Sequence, residues 1–322
     1  MIVDLFAYLV FFVAIAGTFA LACLGLNLQW GTTGLFNVGV AGFVAVGAYT
    51  SAILTAPPSP DRLGGPAWPI ALGWLGAAVA AGLVALGVGA LTLRLRHDYL
   101  AIATFGVAVT IQLLAMNLVR VTGGPFGIHG VPRPFTGIVA SPLGRNVAYV
   151  GLVVLLVGAV YVALERLVAG PWGRVLRGIR EDEAAASALG KSAAAFRLQA
   201  FTLGAMVMGL AGAVYAHFIG FVAPEDFLSI LTFQVWTMLV VGGSGNNRGA
   251  IAGAVVVWAL WTASGALMTA VLPQALQARS AALQTVLIGV ALVVVLLVRP
   301  RGLLGETIVV SRHAAEASAS PR

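Results

Sequence analysis

Uncharged apolar stretches long enough to cross a lipid bilayer recur along almost the whole chain. Roughly 20 apolar residues cross about 30 Å of hydrocarbon, and on that measure we predict about nine membrane-spanning helices. They lie at residues 5–26, 34–56, 69–93, 99–119, 146–164, 199–222, 227–242, 249–272 and 282–298. The seventh is short and ends at Gly242 and Gly243, so a broken or re-entrant segment is the alternative there.

The composition agrees with a polytopic membrane protein and excludes a soluble one. Of the 322 residues, 60% are hydrophobic and 9% are charged, whereas soluble domains carry about 25% charged residues. The predicted fold class is therefore an all-α polytopic membrane protein, with residues 1–322 forming a single transmembrane domain. No positive residue precedes the first apolar run, so we expect residues 5–26 to be a span rather than a cleaved signal.

Nine crossings assign each loop to one side of the membrane, and the Lys and Arg residues are then unevenly distributed between the two sides. With the N-terminus outside, 13 of the 18 fall on one side of the membrane. Because cytoplasmic loops are enriched in Lys and Arg, this side is predicted to be cytoplasmic, together with the C-terminal tail 299–322. Contact with anionic lipid then explains the net charge of +7, and no nucleic-acid partner is expected.

The cysteine and histidine content does not indicate a metal or cofactor site. Cys23 is the single cysteine, and the four histidines are scattered. These residues do not have the spacing of a metal site. We therefore expect neither a metal nor a cofactor in this chain.

The segment 165–198 is the most polar part of the chain. It contains about a tenth of the residues but 10 of the 29 charges. An alanine-rich run predicts a helix over 174–189 that ends at Gly190, and Ser192 is placed to cap the next helix. Spacing puts one apolar stripe on this loop, formed by Val175, Ile179, Ala186 and Leu189. The sequence is equally compatible with a surface that docks another protein and with an ordinary connecting loop.

A partial phosphate-binding motif lies in the same loop. Gly190, Lys191 and Ser192 match the end of G-x-x-x-x-G-K-S/T, but its first glycine is replaced by Ala185 and no strand is predicted before it. We therefore predict that this chain does not bind ATP itself.

Polar residues inside the predicted spans are few and uncharged. No carboxylate is predicted at mid-depth, since Asp98, Glu225 and Asp226 lie at the edges of spans. Proton-coupled carriers commonly need such a carboxylate or a histidine relay. His217 lies within a span, and a hydrogen bond to a neighbouring helix is its favoured role.

Glycines crowd the segment from Gly31 to Thr50. They recur at spacings of three to five, around Asn37 and Tyr49. Such density permits either close helix packing or unwound backbone that contacts a polar solute. Packing is favoured for any single glycine, and both alternatives stay open for the segment.

Four stretches resemble the membrane permease subunits of branched-chain amino-acid ABC importers, in particular the second of the two paired permease types. They cover about half of the chain in order. The stretches are GTTGLFNVGVAGFVAVGAYTSAIL from Gly31, DYLAIATFGVAVTIQLLAMNLVRVTGGPFGIHGVPRP from Asp98, the loop and helix from Gly173 to Phe227, and VGGSGNNRGAIAG with VRPRGLLGE near the C-terminus.

The resemblance implies which residues carry function. Glu183, Ala185, Ala186 and Gly190 would belong to a coupling helix that sits in a cleft of a separate ATPase subunit. The solute path would involve Asn37, Gly39, Gly42, Gly47, Tyr49, Thr50, Thr122, Gly123 and Gly124. Many members carry Ser and His where this chain has Asn37 and Val40, so a role for that histidine does not carry over. Phe126 replaces a frequent Asn at the outer mouth.

The resemblance also implies an assembly in the plasma (inner) membrane of a bacterium. Its other parts would be a second homologous permease, two ATP-binding subunits that use ATP and Mg, and a periplasmic or extracellular solute-binding protein. The Pro- and Gly-rich loops at 57–68 and 120–145 are candidates for docking that binding protein, with a plain surface loop as the alternative.

Three other functions are considered. Urea or a short amide is an alternative solute, because related permeases share these motifs. A stand-alone carrier or channel is a second alternative, disfavoured by the missing mid-depth carboxylate and by the exposed charged loop. An integral-membrane enzyme is the third, and no cluster of His, Asp and Cys supports it.

Overall fold

The computed structural model describes residues 2–60, 62, 64–95, 97–271, 280–299 and 302–306. This part contains twelve α-helices and one two-stranded sheet. The helices are α1 Ile2–Asn27, α2 Val40–Thr55, α3 Ile70–Thr92, α4 His97–Asn117, α5 Val119–Thr122, α6 Pro142–Ala169, α7 Pro171–Glu181, α8 Glu183–Ala188, α9 Ala193–Ile219, α10 Ser229–Gly242, α11 Asn247–Val271 and α12 Ser280–Val298; the strands are β1 Ile128–His129 and β2 Phe221–Val222. The predicted tail falls mostly outside the described residues.

The helical membrane fold predicted from the sequence is confirmed at the level of class. Among the described residues, six helices are long and apolar enough to cross a membrane: α1, α3, α4, α6, α9 and α11. Two further apolar helices, α2 with 16 residues and α10 with 14, are shorter. At 1.5 Å per residue they measure about 24 and 21 Å, which is less than the thickness of the hydrocarbon core.

The centre of the bundle is α9, which packs on α1, α2 and α3. Glycines allow its backbone to touch that of α2: a Cβ at Gly47 would overlap the backbone of Gly209, and a Cβ at Gly212 would overlap Val44. Small residues at such contacts let helices approach closely, and dispersion contacts then replace the hydrophobic effect that is missing in lipid. The glycines of α2 thus serve helix packing.

The outer helices expose apolar side chains away from this centre. Leu75 of α3, Ile102 of α4, Leu155 of α6 and Val290 of α12 are each more than half exposed. In a helical membrane protein, such faces suit lipid or another apolar subunit.

The short sheet joins two loops at one end of the bundle. β1 and β2 are antiparallel, with Ile128 opposite Val222. Beside them, His217 Nδ1 lies 2.6 Å from the Pro132 carbonyl oxygen, to which it can only donate, and Nε2 lies 2.8 Å from Ser51 Oγ. The hydrogen-bonding role expected for His217 is confirmed.

One predicted span begins later than the sequence suggested. The segment 34–56 is helical only from Val40, since residues 33–39 leave the helical conformation. α1 ends in a single π-helical turn, Leu28–Thr32, before this break. The backbone between α1 and α2 is therefore unwound inside the bundle, as the glycine density allowed.

We predict that Gly47→Ala lowers the melting temperature of the detergent-solubilised protein. The added methyl group meets the Gly209 backbone, and overpacking of this kind costs about 1–3 kcal/mol. Gly158→Ala in α6 is the matched control, because no atom lies within 4 Å of the Cβ it would add. Equal melting temperatures for the two variants would contradict the packing role of Gly47.

Candidate functional site

The charged loop begins with a sharp turn between α6 and α7. A Cβ at Gly173 would overlap the backbone of Val168, so only glycine permits this approach. The turn folds α7 back so that Leu176 and Ile179 are buried, at 0% and 1% exposure. These two side chains anchor α7 to the bundle.

The single helix predicted over 174–189 is wrong, because Asp182 divides it into α7 and α8. Asp182 is extended, with φ −150° and ψ 102°, and its carboxylate accepts a hydrogen bond from Ala185 N at 3.0 Å. A short side chain that caps the following helix favours such a break. The predicted apolar stripe is also wrong, because this break places its residues in different surroundings: Ile179 is buried, whereas Leu189 is 80% exposed.

Both predicted helix boundaries after α8 are confirmed. Gly190 has φ +75°, the left-handed conformation that ends many helices. The Ser192 hydroxyl accepts a hydrogen bond from Ala195 N at 3.4 Å and caps α9. An ion pair of 2.8 Å between Arg197 and Glu183 ties α8 to the start of α9.

We call the segment 171–192, which runs from the start of α7 to the residue that caps α9, the elbow. The four predicted coupling residues all lie on it. Glu183, Ala185 and Gly190 are exposed, and Ala186 is half-buried. A Cβ at Gly190 would meet no atom within 4 Å. The elbow is therefore held by its caps and one ion pair, while its outer surface is free to contact another molecule.

One arginine connects α7 to the transmembrane helices. Arg180 donates hydrogen bonds to the Gly31 carbonyl oxygen, beyond the end of α1, and to both carboxylate oxygens of Glu306, at 2.9 and 3.0 Å. Its side chain also packs on Gly34. We call this set the Arg180 junction: Arg180, Gly31, Gly34 and Glu306. The Arg180 junction therefore joins three separate parts of the chain: α7, the end of α1 and the residues after α12.

A second polar network lies beside the Arg180 junction. Asn27 Nδ2 donates to Asn247 Oδ1 at 2.9 Å, and Asn27 Oδ1 accepts from Gly245 N at 2.8 Å. Asn247 in turn donates to Glu165 at 3.0 Å. The ends of α1, α6 and α11 are thereby linked through side-chain hydrogen bonds.

Side chains satisfy the unwound backbone between α1 and α2. Asn37 is fully buried and caps its own turn, since its Oδ1 accepts from Gly39 N at 2.7 Å. Val38 N donates to Thr104 Oγ1 and Ala41 N donates to Thr232 Oγ1, both at 3.0 Å. Gln29 accepts from Asn37 Nδ2 at 2.7 Å. Non-helical backbone at membrane depth requires such partners, because no lipid group replaces them.

The residues predicted for a solute path occupy three places. Gly39 and Gly42 pack on α4, and Gly47 packs on α9. Tyr49 and Thr50 lie further along α2, and the buried Tyr49 hydroxyl has no hydrogen-bond partner in the part of the chain that the structure describes. Thr122, Gly123 and Gly124 form a turn at the other end of α4, where the Thr122 hydroxyl donates to Ala115 O at 2.6 Å. The structure thus places the Asn37 segment beside Thr104, within α4, and the Thr122 turn beyond the C-terminal end of that helix.

Sequence reasoning missed Arg180, Glu306, Thr104 and Thr232. Each is a single polar residue whose partner lies more than 60 positions away, so no local spacing reveals it. The one available signal was the density of glycines from Gly31 to Gly42, since unwound backbone there would need partners for its polar groups.

The fold and this site define a class: a polytopic helical membrane protein with an exposed, charged helical elbow joined to the ends of its transmembrane helices. Residues 8–296 match the family described as the branched-chain amino acid transport system / permease component. The chain belongs to this family.

Relatives of two types are similar to the chain. It is 35% identical over 259 residues to the high-affinity branched-chain amino acid transport system permease protein LivM of Salmonella typhimurium, and 34% identical to LivM of Escherichia coli. Each match covers 73% of this chain and 58% of the relative, so the chain spans under two thirds of their length. LivH of Salmonella typhimurium is 24% identical over 306 residues, covering 91% of this chain and 93% of the relative. No solved structure matches the chain.

We predict that Arg180→Ala destabilises the protein more than Glu306→Gln does. Removal of the guanidinium leaves the Gly31 carbonyl group without its partner, which costs about 1–3 kcal/mol, whereas a partly exposed ion pair contributes less than about 1 kcal/mol. Thermal melting of the solubilised protein measures both effects. Arg174→Ala on the same helix is the control, because Arg174 is exposed and makes one hydrogen bond of 3.5 Å. A change at Arg180 no larger than at Arg174 would contradict the junction.

Proposed function

We propose that the chain is the permease subunit of an ABC importer that moves branched-chain or related amino acids into the cytoplasm. Membership of the family and the similarity to LivM and LivH support this proposal. The observation that carries it structurally is the exposed elbow α7–α8, which is anchored at one end by buried side chains and presents the other end outward. A membrane protein driven by a separate subunit needs such a surface.

The proposed assembly contains a second homologous permease, two ATP-binding subunits and an external solute-binding protein. Glu183, Ala185, Ala186 and Gly190 would contact an ATP-binding subunit. Hydrolysis would occur in that subunit, so this chain needs no ATP site or catalytic residue of its own. The exposed apolar faces of α3, α4, α6 and α12 would contact lipid and the second permease.

The proposed mechanism is a two-state movement biased by nucleotide. Closure of the ATP-binding subunits would displace the elbow, and the Arg180 junction would carry that displacement to the end of α1. The unwound segment next to it is the part of the bundle that α1 would move. Asn37, Gly39, Gly42, Gly47, Tyr49 and Thr50 remain the proposed path, with Thr122, Gly123 and Gly124 at its outer end.

We also propose nine crossings, with the N-terminus outside and the elbow in the cytoplasm of a bacterial cell. The six long helices, the two short ones and α12 would supply them. The distribution of Lys and Arg supports this orientation. Both short helices adjoin non-helical backbone within the bundle, which explains how they would complete a crossing.

We predict that Gly190→Asp abolishes amino-acid uptake and loosens retention of the ATP-binding subunits at normal membrane levels. The new carboxylate would be buried in the proposed protein contact, and burial of an added charge is costly. Uptake into cells and co-purification of the ATP-binding subunits measure the two effects.

Gly130→Asp is the matched control for backbone strain. Gly130 has φ +71°, and a Cβ there would also meet no atom within 4 Å, but it lies beside β1 at the opposite end of the bundle. We expect it to retain the ATP-binding subunits. Normal uptake and retention with Gly190→Asp would refute the coupling assignment.

A further inference from the structure

A cavity of about 280 Å³ lies between α1, α9, α10 and α11. Its walls are mainly apolar and include Phe11, Phe19 and Val235. Small-molecule pockets usually measure about 300–1,000 Å³, so this cavity suits a solute at the small end of that range. None of the residues that line it is among those assigned to the solute path above.

A carboxylate lines this apolar cavity. Asp226 lies on the 3-10 turn Pro224–Phe227 that connects β2 to α10. Its Oδ1 accepts from the Tyr215 hydroxyl at 3.2 Å, and its Oδ2 accepts from Ala223 N at 2.9 Å. A carboxylate has about four acceptor sites, so capacity remains on both oxygens.

Asp226 has no basic partner within the described part of the chain. The ion pairs formed there are Arg180 with Glu306 and Arg197 with Glu183. Asp226 is partly exposed, and both of its oxygens keep acceptor capacity, so a cation entering the cavity can pair with it. The cavity is therefore complementary to a ligand with a positively charged group at this end.

Two further polar groups line the same cavity. The indole N–H of Trp258 is buried without an acceptor among the described residues, and the Gln234 amide is a second polar group of the lining. Both groups can donate hydrogen bonds. Donors and a carboxylate around an apolar volume match a molecule with an ammonium group, a carboxylate and an apolar side chain.

We propose that this cavity binds an apolar α-amino acid, with its ammonium group on Asp226 and its carboxylate facing Trp258 and Gln234. This inference rests on the proposed function and adds a binding site to it. Asp226 provides charge selection for the amine, and the aromatic walls provide selection for an apolar side chain. Tyr215 acts as a positioning residue, because its hydroxyl holds the Asp226 carboxylate.

The test is direct binding to the intact importer complex in lipid nanodiscs, without the solute-binding protein. Radiolabelled leucine is measured by equilibrium dialysis, with 3-methylbutylamine and 4-methylpentanoate as competitors that lack the carboxylate and the amine, respectively. We expect saturable leucine binding that the amine competes for more strongly than the acid does. Absence of saturable binding, or stronger competition by the acid, overturns the proposal.

Variants then identify the cavity as the site. Asp226→Asn removes the charge and leaves one of the two acceptor oxygens, and we expect leucine binding to weaken at least about tenfold, as for the loss of a charge-assisted hydrogen bond. Glu225→Gln removes one charge from the exposed neighbouring residue and is expected to leave binding unchanged. Equal affinities for these two variants would overturn the assignment.

Two controls separate the possible failures. Trp258→Phe removes the unpartnered N–H together with part of the aromatic wall and is expected to weaken leucine binding several-fold. It decides the question if Asp226→Asn melts at a lower temperature than the unmodified protein. Leucine uptake by the unmodified complex with its solute-binding protein is measured in parallel. Uptake without binding at the cavity overturns this inference alone, whereas absence of uptake overturns the proposed function.

Discussion

The need to satisfy every buried backbone group without water governs this structure. Lipid offers no hydrogen bonds, yet the chain leaves the helical conformation at residues 33–39 in the middle of its bundle. Thr104, Thr232 and Asn37 compensate by accepting hydrogen bonds from three backbone N–H groups. These side chains come from α4, α10 and the segment itself, so the break is stable only when the whole bundle is assembled around it.

The same constraint explains why polar residues surround the segment that is proposed to move. Unwound backbone can rearrange by exchanging side-chain partners, whereas α2 and α9 are locked together through Gly47 and Gly212. The Arg180 junction binds the carbonyl group of Gly31 immediately before the break. In the proposed mechanism, a displacement of α7 would act on this unwound segment, while the packed glycine contacts would remain as a fixed frame.

Local sequence features predicted much of the fold and part of the site. The lengths of the apolar stretches located the membrane helices. Gly190 marked the end of α8 and Ser192 the start of α9, because caps act within a few residues. The division at Asp182 was missed, since alanine content favoured one continuous helix. Asp226 was assigned to the edge of a span, but its carboxylate lines a cavity that four helices form. Such long-range placement leaves no periodic trace in the sequence.

Site-directed labelling tests most directly whether the elbow α7–α8 faces the cytoplasm and meets the ATP-binding subunits. Cys23 is fully buried and Leu189 is 80% exposed, so Leu189→Cys gives one accessible thiol. A membrane-impermeant maleimide should label it in inside-out vesicles but not in spheroplasts, and bound ATP-binding subunits should slow the labelling. Labelling in intact spheroplasts, or a rate that those subunits do not change, would contradict the account.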